Sequence, residues 1–106
     1  MDSTYDPSFI LKLFSLKLDP ESKEARKVLE SLATCTRPVS YCSCGCGDPY
    51  FVDPKSADWK FITNLSLWHN KTVYVLDIME DWTVGAIEIQ RDFPLPLEGM
   101  QVVEID

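Results

Sequence analysis

Residues 59–90 read WKFITNLSLWHNKTVYVLDIMEDWTVGAIEIQ, and the period of this stretch decides the fold. From Trp59 to Trp68, alternate positions place Trp59, Phe61, Thr63, Leu65 and Leu67 on one face and Lys60, Ile62, Asn64, Ser66 and Trp68 on the other. Side chains on a strand alternate between its two faces, so this pattern predicts a half-buried strand. His69-Asn70-Lys71 then supplies a turn. Residues 72–78, TVYVLDI, are apolar on both faces except at Asp77, as suits a central strand. Met79-Glu80-Asp81 turns the chain again, and residues 83–90 form a third strand in which Gly85 suits a bulge. The three strands make a meander. Residues 50–52 and 100–105 are candidates for short additional strands. Phe93-Pro94-Leu95-Pro96-Leu97 cannot lie inside a sheet, because proline donates no ladder hydrogen bond.

Upstream the period changes from two to that of a helix. Asp6-Pro7 has the chemistry of a helix start, and Phe9, Ile10, Leu13, Phe14 and Leu16 follow on one broad face. Asp19-Pro20 repeats the signal, with Glu21 and Glu24 where the helix dipole favours acids. Ala25, Val28, Leu29 and Leu32 form the apolar stripe of this second helix, which ends by Thr36-Arg37-Pro38. Helices followed by strands predict an α+β fold: two N-terminal helices packed on a small antiparallel sheet, a meander of three to five strands. The 106 residues fit one domain, helical over 1–37 and mainly strand over 38–106.

The net charge is −7, and it is unevenly placed. Residues 1–40 carry six bases and six acids, and residues 41–76 three of each. Residues 77–106 carry eight acids, Asp77, Glu80, Asp81, Glu88, Asp92, Glu98, Glu104 and Asp106, against Arg91 alone. Such a surface repels phosphate backbones and anionic lipid, which argues against nucleic-acid and membrane partners. It steers toward a basic protein. Asp77, Glu80, Asp81, Trp82 and Glu88 are therefore the candidate partner-binding residues, Trp82 as an aromatic anchor beside an acidic turn. A tryptophan folded back over its hairpin is the bland alternative.

The four cysteines are Cys35, Cys42, Cys44 and Cys46. As a set they are candidate zinc ligands, but their C-x6-C-x-C-x-C spacing departs from the paired ligands of structural zinc. A redox pair or a catalytic thiol served by His69 is a further alternative, although no C-x-x-C or other recognisable catalytic constellation is present. Buried thiols acting as small apolar residues need no partner and account for the cluster most simply. The N-terminal MDSTYDPS has no basic, then apolar, leader pattern, which leads us to expect a cytoplasmic protein with reduced thiols. The function expected from these features is a non-enzymatic interaction module, inhibitor- or immunity-like toward a basic protein, with no required cofactor. A small zinc domain and a thiol-dependent enzyme or redox protein are the alternatives. A homodimer through an unpaired strand edge is compatible with the same sequence.

Overall fold

Asp6 opens the first element by accepting the Ser8 backbone N–H at 3.0 Å, and Pro7 takes the N-cap position of helix α1, Ser8–Ser15. The computed structural model describes residues 4–42 and 47–105. Ile10, Leu13 and Phe14 are the buried residues of α1. Helix α2, Lys23–Ala33, begins later than the Asp19-Pro20 signal. Asp19 closes a turn instead, its carboxylate accepting the Glu21 N–H at 2.9 Å and its carbonyl the Ser22 N–H at 3.1 Å. The Ser22 hydroxyl then caps α2 by accepting the Ala25 N–H at 3.2 Å. Ala25, Val28 and Leu32 bury the expected stripe. None of the described helices is long and apolar enough to cross a membrane.

Six strands follow: β1 Ser40–Tyr41, β2 Pro49–Tyr50, β3 Phe61–His69, β4 Thr72–Met79, β5 Val84–Arg91 and β6 Gln101–Val102. They form one sheet in the order β1-β2-β5-β4-β3-β6. The meander β3-β4-β5 is its centre, as residues 59–90 predict. The predicted short strands at 50–52 and 100–105 reduce to two residues each. Strand β1 has no sequence signal, and β6 runs parallel to β3 where an antiparallel sheet was expected. The result is an α+β fold with two N-terminal helices on a mostly antiparallel sheet.

Register sorts the central strands into two faces. Leu67 opposes Tyr74 and Leu65 opposes Leu76, while Leu76 opposes Ile87 on the far side. These residues meet Ile10, Leu13, Phe14, Val28 and Leu32 in the core, so both helices pack on this face. The opposite face carries Asn64, Ser66 and Trp68 from β3, Val73, Val75, Asp77 and Met79 from β4, and Ala86, Glu88 and Gln90 from β5. No described helix covers it, although Val73, Asp77, Met79 and Ala86 on it are buried.

Two irregularities shape that open face. In β3, Phe61 opposes Met79 but Thr63 opposes Ile78, so Ile62 is an extra residue. One extra residue flips every side chain before it. Trp59 and Phe61, expected on the Leu65 face, therefore lie on the open face, where Trp59 meets Tyr50 edge-on at 5.8 Å. In β5, Val84 opposes Ile78 and Ala86 opposes Asp77, leaving Gly85 as the bulged residue that the sequence suggested. A Cβ on Gly85 would lie 2.6 Å from Met79 Cε and 3.0 Å from Trp59 Cζ3. Gly85→Ala must therefore displace a buried methionine and an indole. We expect a loss of about 1–3 kcal/mol in urea denaturation, with altered tryptophan fluorescence; an unchanged midpoint would show that Met79 gives way freely.

The turns match their jobs. Asn70 and Lys71, at φ 47 and 62, form the two-residue connection between β3 and β4 whose twist suits a hairpin. Between β4 and β5, the Trp82 N–H donates to Met79 O at 2.8 Å and the Met79 N–H to Thr83 O at 2.9 Å. Trp82 adopts φ 66 in this loop, a position where glycine is the usual choice. Its indole packs against the core, which offsets the backbone strain.

Candidate functional site

The open face holds a polar row that crosses the strands. It starts at Asn64 on β3, whose Nδ2 donates to Asp77 Oδ1 on β4 at 3.4 Å. Asp77 is only 8 % exposed. Glu88 stands diagonally beside it on β5, because Val75, two residues from Asp77, opposes Glu88. Beyond β5 comes Asp48, which precedes β2. Its Oδ1 accepts the Ile89 backbone N–H at 3.2 Å and so extends the β2–β5 pairing with a side chain. Tyr50 shares this face through its register with Ala86. The row ends at Cys42, whose N–H donates to Asp48 O at 2.8 Å in the β1–β2 ladder.

Carboxylates this close disturb one another. Burial, a hydrogen bond to Asp77 and the charges of Asp77 and Asp48 push Glu88 from the ordinary 4.5 up to about 7. Near neutrality Glu88 is thus poised between an acid that donates to Asp77 and a carboxylate repelled by it. Burial also raises Asp48, opposed by the Ile89 N–H and Arg91. Burial, followed by the nearby Cys42 and the three acids, raises Tyr50. Such a row can accept hydrogen bonds and attract cations. Among the described residues no three His, Cys, Asp or Glu side chains converge to hold a metal ion.

The five partner-binding candidates separate in space. Asp77 and Glu88 sit together in the polar row. Glu80 and Asp81 lie at the β4–β5 turn, beside a cleft of about 330 Å³ lined also by Asp58 and Lys60. Glu80 pairs with Lys60 at 3.5 Å, both side chains being well exposed. Asp81 accepts from the Thr83 N–H and hydroxyl, which hold its carboxyl below the usual range. Trp82 is half-buried against the core, as a tryptophan folded back over its hairpin should be.

Of the four cysteines, Cys35 and Cys42 lie among the described residues. Cys35 is 4 % exposed, donates from Sγ to Ser31 O at 3.3 Å, and is pushed by burial up to about 12. Cys42 belongs to the β1–β2 hairpin on the far side of β5, and Cys44 and Cys46 lie outside the described residues. His69 faces the helices, its ring 5.6 Å from that of Phe9 and its Nδ1 2.8 Å from Val103 O. It ties α1 and the C-terminal segment to β3.

Asp48, Asn64 and Tyr50 were not legible as site residues. Asp48-Pro49 reads as turn chemistry in sequence, and only the pairing of β2 with β5 brings it beside Glu88. No protein-family model matches this chain, and neither a curated protein nor a solved structure does. Its class is that defined by the fold and the site: an α+β protein with helices on one side of the sheet and an acidic, aromatic-bordered face on the other.

Proposed function

We propose that this protein is a non-enzymatic interaction module that docks a basic protein, in the manner of a small inhibitor or immunity protein, through the open face of its sheet. One observation carries the reading: Asp77 and Glu88 stand side by side on a face without a helix, at the cost of pushing Glu88 toward neutrality. A lysine or arginine brought against Glu88 from the solvent side relieves that repulsion, so the free protein stores a preference for cations. Trp59, Phe61 and Trp68 border the row and offer ring faces to the same cations. Glu80 and Asp81, grouped with this face in sequence, have local structural partners and contribute mainly long-range steering, while Trp82 is packed against the core. A cytoplasmic location goes with the reading, since a reduced core thiol at Cys35 suits a reducing compartment.

The test compares the wild type with Glu88→Lys and with the double variant Glu80→Lys/Asp81→Lys. Each is used to retain binding proteins at low ionic strength, and the captured species are identified. A basic partner held by the wild type should be lost with Glu88→Lys. With the turn variant it should be kept, more weakly and with a reduced dependence on salt. Capture of the same proteins by Glu88→Lys at unchanged salt sensitivity would falsify the proposal.

A further inference from the structure

We infer that the partner engages as an added β-strand along β3, an extended segment whose alternate residues are basic. The inference rests on the acidic-face reading and supplies its mode of docking. Strand β6 pairs with β3 only at Leu67 and Trp68. Before that point, β4 is the only neighbour of β3 among the described strands. The Trp68 carbonyl accepts the Val103 N–H at 2.9 Å on the β6 side, so it points away from β4. Backbone direction alternates along a strand, so Ser66 and Asn64 also turn their N–H and C=O groups outward. Among the described residues the hydrogen bond found there is a long local contact, from Thr63 Oγ1 to Asn64 O at 3.5 Å. Exposed edges are ordinarily blunted by charges, prolines or bulges. Residues 61–66, FITNLS, contain neither charge nor proline, and Phe61 and Ile62 are each 45 % exposed. The bulge at Ile62 limits the regular edge to residues 63–66.

Charge complementarity selects the occupant. A strand laid on this edge puts every second side chain on the open face, beside Asn64 and Ser66, with Asp77 next in the row. Lysine or arginine at those positions is drawn to the Asp77–Glu88 pair. The intervening residues fall on the helix face beside Thr63 and Leu65 and need to be apolar or small. A second copy of this chain carries the same net charge of −7, and like charge disfavours it as the occupant. Backbone pairing with pockets for alternate side chains is a recurrent way to recognise extended segments.

The probe is an acetylated, amidated heptapeptide of alternating lysine and valine with threonine at each end, titrated into the full isotope-labelled chain. The expected result is slowed exchange of the Asn64 and Ser66 amides on binding, with shifts at Glu88. Ser66→Pro removes an outward donor without touching the β4 ladder and should weaken binding about tenfold or more. Ser66→Ala, which keeps the N–H, should bind as the wild type does and shows that the site tolerates substitution. Binding lost in Glu88→Lys but unchanged in a folded Ser66→Pro overturns strand addition and leaves the acidic face standing. Failure of the peptide to bind at low ionic strength overturns both. Asn64 and Ser66 amides already protected through concentration-dependent dimerisation assign the edge to a second copy and overturn the inference.

Discussion

Raising the pH from about 5 to about 7.5 is expected to destabilise the protein by about 1–2 kcal/mol, the opposite of what paired carboxylates usually give. The figure is discounted because solvent still reaches Glu88. The cause is Glu88, raised from 4.5 to about 7 by burial, by its hydrogen bond to Asp77 and by the charges of Asp77 and Asp48. Between those values the unfolded chain has released the proton and the folded chain keeps it. The folded state binds more protons, so its stability is fullest below 4.5 and declines as the pH passes through about 7. Asp48, also raised, works in the same direction. Asp6 and Asp81, lowered from 3.8 chiefly by Ser8 and Thr83, oppose this only in more acid solution. Urea midpoints at the two pH values measure the effect. Glu88→Gln should flatten the dependence and be the more stable protein at the higher pH. A wild-type midpoint that rises with pH would mean that Asp77 and Glu88 do not repel each other. A cationic partner should also displace the Glu88 proton, so its affinity should increase with pH across the same window.

Leu76→Ala is expected to cost about 2–5 kcal/mol, a large share of the total of about 5–15 kcal/mol that holds a small domain together. Leu76 is 0 % exposed. It lies at the middle of β4, flanked by Leu65 and Ile87 across its two ladders. Leu13, Phe14 and Leu32 from both helices complete the cluster it occupies. Strands on each side of β4 prevent collapse around the missing atoms, so the cavity term adds to the lost transfer energy. Leu95→Ala serves as the contrast: Leu95 is 77 % exposed, and its loss should stay within about 0.5 kcal/mol. Denaturant unfolding of the two variants decides. Similar small losses in both would mean that the helices do not seal the sheet at Leu76.

Much of this architecture is written in local periodicity. The alternation in residues 59–90 yields β3, β4 and β5 almost to their ends, and the i, i+3, i+4 stripe of Ala25, Val28 and Leu32 yields α2. Gly85 announces its bulge, because only a residue without a side chain fits against Met79 and Trp59. The Ile62 bulge carries no such mark, and one unannounced residue moved Trp59 and Phe61 to the opposite face. Strands of two residues, such as β1 and β6, are too short to show a period at all.

The candidate site divides along the same line. By itself the sequence determined that the excess charge lies in residues 77–106, that Asp77 interrupts an otherwise apolar central strand, and that Cys35 follows closely on an amphipathic helix. Composition and neighbouring residues are enough for such statements. Only the tertiary structure decided that Asp77 and Glu88 share one face with Asp48, while Glu80, Asp81 and Trp82 are engaged in the hairpin turn. Register across strands sets which distant side chains meet, and register comes from how the bulges and the packed core seat each strand, not from any residue's own preference.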